Sequence, residues 1–87
     1  MIRSTAFKKD VKRADKRGKD MDQLRAVILL LIEDAPLEPR HRDHPLKGEW
    51  LGYRDLHVAP DWVLIYKLTE TELLLARTGT HSDLFGE

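Results

Sequence analysis

Apolar and polar positions alternate with two different periods along this chain, helical in the first third and two-residue in the second half. After Ser4, Phe7, Val11 and Ala14 fall at i, i+4 and i+7, and the positions between them are nearly all charged. That spacing predicts an amphipathic helix with a narrow buried stripe and a basic outer surface. Ser4 or Thr5 can cap its start, and Gly18 is suited to end it. The residues before it, Met1 to Ser4, are β-compatible and predict a short first strand. A second helix starts at Asp20, with Gln23 three residues on as a capping-box partner. Its stripe is Met21, Leu24, Ile28 and Leu31, widened by Val27 and Ile32, and Pro36 stops it near Asp34. The link between the helices is short, which predicts an antiparallel hairpin.

Residues 35–50 hold Pro36, Pro39, Pro45 and Gly48 and show no clear period. A connection this long without structure of its own is uncommon in a compact domain and is often functional. The period then becomes two. Arg54, Leu56 and Val58 share one face of a strand, and Tyr53, Asp55 and His57 share the other. Ala59-Pro60-Asp61 makes a turn, and Trp62 to Leu68 is dense enough in β-branched and aromatic residues for a buried strand. Thr69 to Thr71 turns the chain again. Glu72 to Thr80 reads as the next strand, with Leu73, Leu75, Arg77 and Gly79 on one face, and the tail HSDLFGE has room for one helical turn. The expected fold is α+β in two layers, ordered β-α-α-β-β-β, an antiparallel sheet packed against an N-terminal helical hairpin. Residues 1–87 read as a single domain without internal repeats.

Composition narrows this picture in two ways. The chain has no cysteine, so neither disulfides nor zinc thiolates enter, and the cytoplasm is the expected compartment. The longest apolar run, Ala26 to Ile32, is far shorter than the roughly 20 residues that span a bilayer, and no signal peptide is expected. Charge is more informative. The formal net charge is zero, yet residues 1–19 carry eight basic groups against two acidic ones. Lys8, Lys9, Lys12, Arg13, Lys16 and Arg17 belong to this block. Such a split points either to an anionic partner or to a well-solvated helix face.

The strand order brings candidate chemistry to one edge. In a meander, the end of the 53–58 strand, the start of the 62–68 strand and the end of the 72–80 strand meet. His57, Asp61 and His81 should therefore converge, with Arg77 just inward. Such a set suits RNA cleavage, in which the ribose 2′-hydroxyl loses a proton and the 5′-oxygen gains one. Histidine, with a reference pKa of about 6.5, can do either. Asp61 can transfer a proton or orient a histidine, and Arg77 can hold the phosphorane charge. An arginine facing the same side as Leu73 and Leu75 needs an anion, whether substrate or an internal carboxylate such as Asp55 or Asp61. Phe85 and Trp62 can stack on a base, although Trp62 is also a natural core residue. Trp50 and Tyr66 are assigned to packing, and His41 to the loop surface. A His/carboxylate metal site could draw on His41, His44, His57, His81 and Asp61, but no spacing here is diagnostic, so none is expected.

Three segments, KDVKRADKRGKDM, DHPLKGEWLGYRDLHVAPDWVLIYKL and RTGTHSDLF, resemble the YafQ branch of the RelE-type toxins. The resemblance covers essentially the whole chain. It implies a RelE-like fold and a toxin of a bacterial type II toxin–antitoxin pair, an endoribonuclease that cleaves mRNA in the ribosomal A site. It implies no cofactor. The implied partners are mRNA, ribosomal RNA, a cognate antitoxin protein that wraps the toxin, and operator DNA through the toxin–antitoxin complex only. The family's functional residues fall on His44, His57, Asp61, Trp62, Arg77, His81 and Phe85. With zero net charge, the basic first helix must supply most of the attraction to the ribosome. The alternative is a RelE-fold module that has lost catalysis and acts only in a repressor complex.

Overall fold

The computed structural model of the chain describes residues 1–86. Five strands form one sheet in the order β1-β5-β4-β3-β2, with β1 at Ile2–Arg3, β2 at His44–Pro45, β3 at Arg54–Ala59, β4 at Trp62–Leu68 and β5 at Leu73–Gly79. The expected meander of β3, β4 and β5 is present. The sheet as a whole is mixed, because β1 runs parallel to β5. The 35–50 segment is not structureless: it holds two short 3-10 turns and β2, which pairs with β3 and sets His44 opposite Asp55.

Helix α1 (Thr5–Lys16) is capped as its sequence suggests, with Phe7 N donating to Ser4 Oγ at 2.9 Å. Gly18 at φ +81° lets the chain leave the helix, a left-handed conformation that glycine adopts without strain. Helix α2 (Met21–Ile32) starts at Asp20, whose carboxylate accepts from Asp22 N at 3.0 Å instead of forming a box with Gln23. Its buried stripe is turned relative to the expected one. Leu24, Val27 and Leu31 are buried, whereas Ile32 lies in solvent. Both helices pack on one face of the sheet, where Phe7, Ala14, Leu24, Val27 and Leu31 meet Leu56, Trp62, Leu64, Tyr66, Leu73 and Leu75. The short α3 (His81–Phe85) follows β5. Among the described residues no helix is long and apolar enough to cross a membrane.

One irregularity redirects the last strand. Tyr66 pairs with Leu75 but Ile65 pairs with Arg77, so Ala76 is an extra residue in β5. Side chains directly opposite each other in an antiparallel pair share a face. Past this bulge, Arg77 therefore shares the face of Ile65, and Thr78 takes the core side with Leu64. This corrects the expectation that Arg77 lies on the face of Leu73 and Leu75.

Candidate active site

The register places the candidate residues in two rows on the sheet face opposite the helices. His44, Asp55, Ile65 and Arg77 stand opposite one another across β2, β3, β4 and β5; His57, Val63 and Gly79 form the second row. Val63 and Ile65 are the fully buried floor. His81 and Phe85 come from α3 at the end of β5, and Asp61 from the β3–β4 turn.

The sequence around α3 explains how His81 is held. Thr80 Oγ1 accepts from Asp83 N at 3.0 Å, and Asp83 Oδ2 accepts from Thr80 N at 3.1 Å, a reciprocal cap of the first turn. Arg17 Nη1 donates to Asp83 at 2.7 Å and ties this turn to α1. That guanidinium, with the Thr80 N–H, holds the Asp83 carboxyl well below the usual carboxylate range. A Cβ on Gly79 would sit 3.1 Å from Asp83 Cβ, so any larger residue there would press on the first turn of α3.

His57, Asp61 and His81 do converge. His81 lies 2.8 Å through Nδ1 from Asp61 Oδ1, which also accepts from His81 N at 3.2 Å. A carboxylate can only accept, so Nδ1 of His81 carries the proton and Nε2 faces away from Asp61. That Nε2 is 3.3 Å from His57 Nε2. Two ring nitrogens at this distance share one proton, which makes a continuous path from Asp61 through His81 to His57. Hydrogen bonds from His81 hold the Asp61 carboxyl below its ordinary value. Burial, followed by the field of His81, lowers the pKa of His57 and favours its neutral form. The Phe85 ring is 6.2 Å from that of His81, half-buried beside it.

His44 reaches the site from β2. Its Nδ1 is 2.8 Å from the Arg42 carbonyl and 2.9 Å from Asp55 Oδ1. Both neighbours are acceptors, so Nδ1 holds a proton and Nε2 is left with a lone pair. Its directed bond goes to Arg42, and Asp55 Oδ1, although close, has no hydrogen bond. Asp55 is only 3% exposed. Burial pushes its carboxyl above the usual range, against the opposing pull of His44, His57 and His81. The sequence offered one signal for Asp55 as a site residue, its position two before His57 on the same strand face.

Arg77 and His41 lie where the sequence did not put them, and Trp62 takes the core, one of its two expected places. Arg77 does not pair with Asp55 or Asp61. Its Nε and Nη2 donate to Asp10 of α1 at 2.6 and 3.1 Å, and Thr78 N donates to the same carboxylate at 3.1 Å. Asp10, 4% exposed on a helix that otherwise shows its charges to water, is buried to receive them. Trp62 is 1% exposed on the helix side, with Nε1 donating to Thr78 Oγ1 at 2.9 Å, so it offers no free face for a base. His41 is buried, and its Nδ1 accepts from Glu38 N at 3.3 Å. The helix-forming cations separate as well. Lys8, Lys9, Lys12 and Lys16 are exposed and unpaired among the described residues, whereas Arg13 and Arg17 hold Asp10 and Asp83.

A family model described as a bacterial toxin of type II toxin–antitoxin systems, YafQ, matches residues 1–86. The chain is 56% identical over 84 residues to the mRNA interferase toxin YafQ of Escherichia coli K12, covering 95% of this chain and 91% of that protein. Its fold superposes on the toxin in the crystal structure of the E. coli DinJ-YafQ toxin–antitoxin complex with a TM-score of 0.92, at 55% identity over 98% of this chain and 96% of that chain. A metal-bound toxin from Helicobacter pylori is 41% identical, with a TM-score of 0.88 over 95% of this chain and 94% of that one. Among the described residues here, no three His, Asp or Glu side chains are placed to hold a metal together.

Proposed function

This chain belongs to the YafQ family of type II toxin–antitoxin toxins, and on that premise we propose that it is a ribosome-dependent mRNA endoribonuclease acting in the cytoplasm. It cuts mRNA in the ribosomal A site by attack of the ribose 2′-hydroxyl on the adjacent phosphate. The observation that carries this reading is the hydrogen-bonded path Asp61–His81–His57 beside His44. In-line cleavage needs one group to take the 2′-hydroxyl proton and another to protonate the 5′-oxygen. His81, oriented through Nδ1 by Asp61, is one of the two. His44, held through Nδ1 by the Arg42 carbonyl with Nε2 free, is the other. His57 bonds His81 while RNA is absent and keeps its Nε2 aligned for the substrate. Arg77 adds positive charge toward the phosphorane, Phe85 gives a face for a base, and Trp62 supports the floor from the core side. No metal takes part in this route. A cognate antitoxin inhibits the enzyme, as DinJ accompanies the E. coli toxin, and operator DNA is met only through that complex. Residues 1–87 act as a single domain, and the lysines of α1 face ribosomal RNA.

The test is mRNA cleavage mapped with and without ribosomes, for the native chain and for His81→Ala, each with and without EDTA. Ribosome-dependent cuts that resist the chelator and fall about 10²–10⁴-fold in His81→Ala are expected. Cutting of free RNA, loss on chelation, or an undiminished mutant would overturn the reading.

A further inference from the structure

Beside His57 lies a hollow whose lining does not include His81. Its volume is about 490 Å³; Gln23 of α2, Arg40, Arg42 and His57 border it, and Val58, Ala59 and Pro60 wall it. Two larger hollows, about 540 and 640 Å³, have no histidine in their lining.

The chain's arginines differ in how far they are committed. Arg13 and Arg77 hold Asp10, Arg17 holds Asp83, Arg25 holds Asp22, Arg40 holds Glu38 and Arg54 holds Asp43. Among the described residues only Arg3 and Arg42 have no carboxylate within ion-pair distance, and only Arg42 borders the histidines. Its backbone sits at φ +46°, ψ +43°, a left-handed conformation that an arginine adopts only when its surroundings impose it. In that conformation the Arg42 carbonyl holds His44, while the same residue borders the hollow at His57. Its positive charge is one of the influences that depress the His57 pKa, together with burial and the fields of His81 and His44, against Asp55. Arg77, the cation expected to meet the phosphate, already has two donors, Nε and Nη2, on Asp10.

We propose that Arg42 and this hollow form a subsite for a second phosphate of the RNA chain, next to the scissile linkage. The assignment rests on the endoribonuclease reading and adds a substrate requirement to it. A phosphodiester backbone carries one negative charge per nucleotide, and an unpaired guanidinium presents a planar fork suited to phosphate oxygens. The Val58-Ala59-Pro60 wall gives the attached sugar an apolar surface. Specificity is for a chain of at least two phosphates, one at the histidines and one at Arg42.

The test uses all-deoxy oligonucleotides, which bind without being cut: a dinucleotide with one internal phosphate and a trinucleotide with two. The intact chain should bind the trinucleotide about tenfold more tightly, the worth of one charge-assisted contact. Arg42→Gly should erase that difference and lower the slope of log affinity against log salt by about one. Glycine accepts the left-handed backbone, so this variant should fold, and its urea unfolding midpoint checks that it does. Arg42→Lys should keep the salt slope, and Arg25→Ala, on α2 and outside the hollow, should leave trinucleotide affinity nearly unchanged. Equal binding of the two probes by the native chain, or native discrimination in Arg42→Gly, would overturn the subsite. So would inorganic phosphate displacing the trinucleotide with an affinity equal to the trinucleotide's, since that describes a free-anion site. Because the probes lack the 2′-hydroxyl, binding is read independently of cleavage. A chain that discriminates the probes but cuts no mRNA on ribosomes refutes the nuclease reading alone.

Discussion

The two faces of β4 are both buried, yet they are built to different ends. On the helix side Trp62, Leu64 and Tyr66 join one apolar cluster, and the polar groups at its margin are paired. Trp62 Nε1 donates to Thr78 Oγ1, which donates to the Val63 carbonyl at 2.8 Å. The Tyr66 hydroxyl donates to Asp43, which also holds Arg54, and burial pushes that hydroxyl's pKa up so that it stays protonated. On the other side Val63 and Ile65 are flanked by charge. Among the described residues, the buried side-chain polar atoms without a hydrogen bond are Asp55 Oδ1 and His57 Nδ1, and both belong to this face. A buried polar atom without a partner costs about 1–3 kcal/mol. One side of the sheet therefore holds the molecule together, and the other carries two unpartnered buried polar atoms, in Asp55 and His57.

The largest effects should separate the two faces. Leu64→Ala empties a fully buried site on the helix side and should lower stability by about 2–5 kcal/mol in urea unfolding, while the folded fraction keeps its activity. His81→Ala should do the reverse: cleavage falls about 10²–10⁴-fold, and stability moves by no more than about 0.5 kcal/mol. If His81→Ala unfolds the chain, or if folded Leu64→Ala is inactive, the division between the faces is wrong.

Next in size is the bridge between the faces. Asp10→Ala leaves Arg77 Nε, Arg77 Nη2 and Thr78 N without their shared acceptor and should cost about 3 kcal/mol. Adding Arg77→Met to that variant should recover part of the loss, because an apolar pair replaces a stranded charge. Urea midpoints of the single and double variants decide it. A single variant as stable as the native chain would show that Asp10 is not the keystone of this edge.

How much of this was legible in the sequence follows from what each signal encodes. Periodicity gave the helices, the meander and the convergence of His57, Asp61 and His81, because strand order alone fixes which ends meet. It misplaced Arg77, because a period-two count cannot register the extra residue at Ala76. It missed Asp10, because a carboxylate within a basic helix reads as surface until its partner, 67 positions away, is known. It called His41 exposed because a loop shows no period, although the short turn at Pro39–His41 buries the ring. Trp62 had two compatible readings, and only the third dimension chose the core. The parallel pairing of β1 with β5 carries no pattern in two residues.

A smaller effect, of opposite sign, should come from the strained face. Burial raises the Asp55 pKa in the folded chain above its unfolded value of about 3.9. The folded state then binds the proton more readily, so stability falls as pH rises from the unfolded value through the folded one, and the deficit persists at neutral pH. Asp55→Asn removes that deficit and should raise neutral-pH stability by about 1 kcal/mol, at the expense of activity. His57 gives the other limb. Its folded pKa is lowered, so the unfolded chain takes the proton first, and stability is lost as pH falls from about 6.5 toward the folded value. Asp55→Asn withdraws a field that raises the His57 pKa, so this limb should extend to lower pH. Urea midpoints between pH 4 and pH 8 read both limbs; a destabilised Asp55→Asn at pH 7 would show that the carboxylate is satisfied after all.

The smallest effects should divide the cations of α1. Lys9, Lys12 and Lys16 project into water, and each that meets a ribosomal phosphate releases about one counterion, so reversing all three to Glu should flatten the salt dependence of ribosome binding. Arg17 looks equivalent in the sequence and is not equivalent in the fold, since its charge is spent on Asp83 at the first turn of α3. A half-exposed pair of this kind contributes about 0–1 kcal/mol to stability, so Arg17→Ala should fold normally. It should also leave the salt slope of ribosome binding close to native. What it loosens is the turn that carries His81, so the loss should appear as a lower cleavage rate on bound ribosomes. Were Arg17→Ala to flatten the salt slope as much as a single lysine reversal while the rate stayed native, Arg17 would belong with the docking lysines and not with the machinery of the histidine face.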